Sequence, residues 1–169
     1  MNVTVFGAGY AGVTLAQRLE SSLDSDIDLV VIDKSDTHLL KHEIHRVIRR
    51  PQVADIIEVP LSDLFDRATV RTAHIHDIDI ETQTARLNTG TTHQYDYAGI
   101  CLGSVTADYD IPGVAEYGLP LNTTADALTI RTALFEAAGV TTTDDSSTDL
   151  SEQRQGPTPD VQIHSDQHD

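Results

Sequence analysis

Apolar residues arrive along this chain in two rhythms, and the alternation between them predicts its elements. Asn2 to Phe6 and Ile27 to Ile32 are short runs rich in β-branched side chains. Runs of that kind predict strands buried on both faces. Ala11 to Leu23, between them, predicts a helix. Leu39, Leu40, Ile44, Val47 and Ile48 recur at helical spacing, and Pro51 ends that segment. Ile56 to Leu61 reads as a short extended piece bent at Pro60, and Asp63 to Arg67 as one helical turn. Thr69 to Thr89 is β-rich, with Val70, Ile75, Ile78, Ile80 and Leu87 among polar partners, and Asn88-Thr89-Gly90 marks a hairpin-type turn. Tyr95 to Leu102 predicts a more apolar strand that ends at Gly103-Ser104. A Gly/Pro-punctuated loop, Asp110 to Pro120, then precedes a helix from Thr124 to Ala138. Past Gly139 apolar residues nearly vanish in favour of Thr, Ser, Asp, Gln and His. Such a stretch cannot bury enough surface to offset its ordering entropy. The pattern therefore predicts one domain over residues 1–139 and a disordered acidic tail over 140–169.

The first strand–helix junction carries chemistry. Gly7-Ala8-Gly9-Tyr10-Ala11-Gly12, with Ala16 four residues on, is a Gly-x-Gly-x-x-Gly-x-x-x-Ala run, and Asp33 closes the second strand. Each part has a physical task in a dinucleotide site. Gly7 permits a tight turn out of the strand. Gly9, lacking a Cβ, lets a pyrophosphate approach the backbone. Gly12 and Ala16 let the helix sit close on the sheet. The helix N-terminus presents amide hydrogens and a favourable dipole to the phosphates. Asp33 accepts hydrogen bonds from a ribose diol and repels a 2′-phosphate. The plainer reading is a tight strand–helix turn without a ligand.

Composition changes the picture in one direction. The 169 residues carry 27 acidic against 11 basic side chains, for a formal charge of −16. Lys34 and Lys41 are the only lysines. So acidic and lysine-poor a surface self-repels without screening cations, which predicts a salt-adapted, cytoplasmic, halophilic protein. No basic patch exists to neutralise nucleic-acid phosphates, Arg46, Arg49 and Arg50 forming only a local cluster. No apolar run approaches the ~20 residues that span a bilayer. The single cysteine, Cys101, excludes an intrachain disulfide and reads as a small apolar strand residue.

Four segments in order resemble a known family: the Gly7–Gly12 fingerprint; Val31-Ile32-Asp33-Lys34; Asp36-Thr37-His38-Leu39-Leu40; and Tyr95 to Ser104. Together they look like the N-terminal flavin-binding part of the pyridine-nucleotide-dependent flavin oxidoreductases, and most of all like type II NADH dehydrogenases and their haloarchaeal cousins. The resemblance covers residues 1–138. It implies an α/β, Rossmann-like FAD-binding domain, a parallel sheet with helices plus a small β-meander, incomplete relative to the family. It implies FAD with its pyrophosphate over Gly7, Ala8, Gly9, Tyr10, Ala11 and Gly12, and its adenosine ribose on Asp33 beside Lys34. His38 to His42 would lie near the flavin phosphates or ring, backbone at His74 and Ile75 would meet the adenine, and Gly103 would close over the cofactor. Electrons would pass from NAD(P)H through FAD to a quinone or another small acceptor.

Two departures shape that expectation. Disulfide reductases of the superfamily carry Cys-x-x-x-x-Cys after the second strand, whereas Leu39 to Arg50 holds no cysteine. Dithiol chemistry is thereby excluded. The family's second glycine fingerprint, for NADH, and its later Gly-Asp segment have no counterpart here. The expectation is thus a chain truncated before its NADH domain, needing a separate chain to supply it. Two rivals stay open: a non-catalytic remnant or interaction subunit of a split flavoenzyme, and a simple NAD-binding dehydrogenase domain. His38, His42 and His45 share a possible helical face, and His74 and His76 one strand face, but neither set has metal-ligand spacing strong enough to outweigh plain polar surface. Ser104 lacks a nucleophile-elbow pattern.

Overall fold

A computed structural model describes residues 1–140; the tail from residue 141 lies outside the described residues. In chain order the elements are β1 (Asn2–Phe6), α1 (Tyr10–Ser22), β2 (Asp28–Asp33), β3 (Thr37–Leu39), α2 (Ile44–Arg49), α3 (Ala54–Ile57), β4 (Glu58–Pro60), β5 (Thr69–Thr72), β6 (Ile75–Asp79), β7 (Thr84–Leu87), β8 (Thr92–Gln94), β9 (Tyr97–Ile100), α4 (Val114–Tyr117) and α5 (Thr124–Ala137).

Four strands form a parallel sheet in the order β5-β2-β1-β9. Successive side chains of a strand face opposite ways, and the two central strands use both faces. Val3 and Val5 of β1 join Leu29 and Val31 of β2 against Val13 and Ala16 of α1. Phe6, Val30 and Ile32 point the other way, onto Ala85 and Leu87 of β7 and onto Tyr95. β6, β7 and β8 make an antiparallel meander that covers this second face. The result is three layers, helix on sheet on meander, and it explains why β1 and β2 read as nearly unbroken apolar runs.

A third cluster gathers Ile44 and Val47 of α2, Val53, Ile57 of α3 and Ala127 of α5. α5 starts at a capping box: Thr123 Oγ1 accepts from the Asp126 amide, and the Asp126 carboxylate accepts from the Thr123 amide. These amide donors, that of Asn122 foremost, hold the Asp126 carboxyl below its usual range. Arg131 reaches from α5 to the carbonyls of Ile48 and Arg49, at 3.0 and 3.3 Å, which otherwise end α2 without partners.

One polar chain runs between sheet and meander, with Thr4 and His93 buried at its centre. The Arg71 guanidinium donates to His93 Nδ1 at 3.1 Å, and His93 Nε2 meets Thr4 Oγ1 at 2.8 Å. Thr4 Oγ1 in turn donates to Asn2 Oδ1 at 3.2 Å. Because a guanidinium only donates, Nδ1 must accept, so the His93 proton sits on Nε2 and points at Thr4. Burial first, and the Arg71 charge second, push the His93 pKa below its ordinary value.

The predicted elements recur with five differences, the first being that Ile56 and Ile57, expected as extended, close the short helix α3. Leu39 belongs to β3, a two-stranded ribbon with β4, and the helix starts at Ile44 after a 3-10 turn over Lys41–Glu43. The Leu40 amide bonds to the Ile57 carbonyl at 2.8 Å, so tertiary pairing overrides the helical spacing there. A 3-10 turn at Leu61–Asp63 replaces the expected turn at 63–67. β8 lies where no strand was read, and the loop before α5 contains α4.

Candidate functional site

The carboxyl ends of four parallel strands meet at one edge of the sheet. β1 runs into Gly7, whose amide donates to the Ile32 carbonyl at 2.8 Å. β2 ends on Asp33, and the Ala73 amide just past β5 donates to the Asp33 carbonyl at 2.7 Å. On the far side of β1, the Cys101 amide after β9 donates to the Phe6 carbonyl at 2.7 Å. The chain steps one way from β1 through β2 to β5, then crosses back to β9. A crevice outside the strand ends at such a reversal is where open α/β sheets take their ligands.

The three fingerprint glycines occupy different surroundings. Gly7 has φ +95°, and a Cβ there would stand 2.3 Å from the Cys101 carbonyl oxygen. At Gly12 it would stand 1.8 Å from the Gly7 carbonyl oxygen. Both are therefore demanded by close packing of turn, helix and β9. Gly9 differs: its φ of −71° is open to any residue, and nothing lies within 4 Å of a Cβ placed on it. Its bare backbone faces open space just ahead of α1, whose first turn has no side-chain cap and no acidic residue. Free amide hydrogens at such a helix start favour an anion.

The loop is held from both sides. The Ala8 amide donates to Asp33 Oδ2 at 2.6 Å, and the Ser35 amide to Asp33 Oδ1 at 2.9 Å. Each carboxylate oxygen keeps a further lone pair. Opposite, buried His38 reaches from β3 with Nδ1 2.9 Å from the Ala8 carbonyl oxygen. The Tyr10 ring stands edge-on to His38 with centroids 5.0 Å apart, and the Tyr10 hydroxyl meets His42 Nδ1 at 2.6 Å. His42 Nε2 lies 3.4 Å from Glu43, whose carboxyl is held low chiefly by its hydrogen bond from Arg46.

The sequence-predicted site residues thus fall into two groups. Gly7, Ala8, Gly9, Tyr10, Ala11, Gly12, Asp33, His38 and His42 are brought together around one loop. Lys34 follows Asp33 and is exposed. His74 and Ile75 follow β5 on the neighbouring strand end, where the His74 amide donates to Asn88 Oδ1 at 3.1 Å, and Ile75 packs against the meander core. The His74 and His76 rings lie 5.4 Å apart. Gly103, at φ +77°, has open space around it after β9. The only sequence signal for the Ala8 clamp was the position of Asp33 and His38; their shared target emerges only once β2 and β3 are placed. An open concavity of about 380 Å³ lined by residues 106–120, among them Asp108, Val114 and Leu119, shares no residue with this loop.

With that geometry in place, comparison with known proteins becomes decisive. Residues 1–145 match the family described as pyridine nucleotide-disulphide oxidoreductase. The chain belongs to this family. An NADH dehydrogenase-like protein of Mycobacterium tuberculosis is 27% identical over 145 residues, covering 81% of this chain and 35% of its own length. The fold of a sulfide:quinone oxidoreductase from Aquifex aeolicus superposes with a TM-score of 0.72 at 20% identity, over 82% of this chain and 32% of that one. NDH2 from Plasmodium falciparum, solved in complex with NADH, gives 0.68 at 16% identity, over 82% and 30%. The chain therefore spans about a third of the length of the relatives it matches. Among the described residues, no helix is long and apolar enough to cross a membrane.

Proposed function

We propose that the crevice holds FAD and that this chain is the flavin-binding part of an NAD(P)H-dependent oxidoreductase resembling type II NADH dehydrogenase. The observation that carries the reading is the contrast among the glycines. Gly7 and Gly12 are bare because protein backbone fills their space, whereas Gly9 is bare toward nothing in the chain itself. A side chain missing without a packing cause fits a ligand that approaches that backbone from outside. The uncapped start of α1 supplies donors for a diphosphate, and Asp33 retains lone pairs for a ribose diol. Lys34, His42, His74, Ile75 and Gly103 ring the same sheet edge as further candidate contacts.

When bound, FAD would supply electron transfer from NAD(P)H to a quinone or another small acceptor. What this chain contributes is binding and orientation: a fixed loop, a carboxylate at the ribose end, and packing that seats the helix start. The NAD(P)H side would come from polypeptide outside this stretch, carried on a further domain or a separate chain. The acidic, lysine-poor surface supports a cytoplasmic setting rich in salt.

Purification in high salt followed by a visible spectrum and FAD titration tests the reading. A flavin spectrum, or saturable FAD binding by the apoprotein, is expected. A chain that stays colourless and leaves added FAD free would overturn it. A second reading, an interaction subunit of a split flavoenzyme, draws on the exposed apolar stretch from Tyr97 to Leu121. It expects cofactor to bind weakly or not at all, and NADH:quinone turnover by the isolated chain would remove it.

A further inference from the structure

The planarity of the peptide bond gives the contact between His38 and the glycine loop a meaning beyond packing. The Ala8 carbonyl and the Gly9 amide belong to one rigid unit, in which C=O and N–H point in opposite directions. His38 Nδ1 holds the Ala8 carbonyl oxygen at 2.9 Å, so it also fixes the direction of the Gly9 N–H. The preceding unit, Gly7–Ala8, is fixed through its own N–H by Asp33 at 2.6 Å. Two consecutive peptide planes are thus locked by two side chains delivered from β2 and β3. The Gly9 N–H has no acceptor among the described residues, and the backbone beside it is open.

We infer that His38 is a positioning residue: buried behind the loop, it aims the Gly9 N–H into the crevice toward an anionic oxygen of the ligand diphosphate. This rests on the FAD reading above, but assigns His38 a place behind the loop in contrast to a contact with the flavin. A carbonyl oxygen only accepts, so Nδ1 must carry a proton. The ring's placement is over-determined: His38 pairs with Val59 in the β3–β4 ribbon and receives the edge of Tyr10. A loop amide held before binding loses less freedom on binding, which is how preorganisation raises affinity.

The test compares His38→Asn, whose amide N–H stands where Nδ1 does, with His38→Gln, whose amide reaches the Nε2 position. FAD affinity is read by flavin fluorescence, and Gly9 amide exchange by NMR on the full chain without ligand. His38→Gln is expected to bind FAD about tenfold more weakly and to exchange the Gly9 amide faster, with His38→Asn within about twofold of the parent in both. If the two variants lose affinity alike, or neither loses any, the inference is wrong. Should the parent chain bind no FAD, the functional reading fails while Gly9 exchange still decides this one: the same ordering of variants supports it and equal rates overturn it. If His38→Gln does not fold, His38→Leu, which removes the donor and keeps the bulk, takes its place.

Discussion

The segment from β1 to β2 and the segment from β9 to the start of α5 belong to the same sheet but are finished to different degrees. In the first, the large apolar side chains of the two strands are buried, and both peptide planes of the glycine loop have a partner, one of them His38 from β3. In the second, residues 97–121 hold ten of the seventeen large apolar side chains exposed among the described residues, from Val114 at 36% to Val105 at 91%. Among the described residues β9 pairs on one edge only, and on the meander side its Ile100 is 57% exposed. Large contiguous apolar exposure marks surface that meets something else, and a parallel strand is ordinarily covered on both faces. The difference teaches that the glycine loop is held by side chains from β2 and β3, whereas the flank from β9 onward leaves its apolar side chains exposed.

The comparison can be broken most sharply at Gly12. A Cβ there collides with the Gly7 carbonyl, so Gly12→Ala is expected to cost about 3 kcal/mol in urea unfolding, or to abolish folding. A parent-like midpoint would mean that α1 does not sit on the loop as described. Next comes the His93 chain. Replacement by Leu strands the buried Thr4 hydroxyl with Asn2 alone and is expected to cost ~2 kcal/mol.

His93 also gives the pH profile a sign. Its folded pKa lies below the ordinary value of 6.5, so near and below that pH the unfolded chain takes up a proton that the folded one resists. The contribution is full above about pH 6.5 and is lost as pH falls through the folded pKa. The parent's urea midpoint should therefore drop from pH 7 to pH 5 more steeply than that of His93→Leu; parallel profiles would refute the assignment.

Gly9→Ala reverses the outcome at Gly12. With open space around it, stability should stay within about 0.5 kcal/mol, while FAD binding should weaken about tenfold as the methyl group enters the approach path. Smallest of all is Val105→Ser on the exposed flank, where stability should also move by less than about 0.5 kcal/mol. A loss above 1 kcal/mol there would show that the flank is packed, and the contrast between the two regions would collapse.

Much of the fold was legible because β1 and β2 are apolar on both faces and the glycines mark their junction. The site was half legible. Asp33 announces itself by ending the second strand, and the structure puts its carboxylate on the loop. His38 misled: Leu39 and Leu40 share helical spacing with Ile44, Val47 and Ile48, yet only the last three lie on α2. The ribbon that carries His38 exists through pairing with β4, twenty residues on in sequence, and no local pattern encodes it. β8 escaped notice for a similar reason. Thr92-His93-Gln94 lacks an apolar alternation, and its inward residue is a histidine whose partners, Arg71 and Thr4, come from two other strands.

The place of β1 in the sheet sets an order of events during synthesis. Within this stretch β1 precedes the other strands, and β2 follows after one helix, so one edge is satisfied early. Its other edge waits for Tyr97 to Ile100, since Val3 pairs with Tyr97 and Phe6 with Ile100. Closing so long a loop must be met in entropy before its contacts reward it, which makes such pairings slow and leaves the strand edge open to wrong partners meanwhile. The first strand of this stretch is thus fully hydrogen-bonded only once β9 has docked on its second edge.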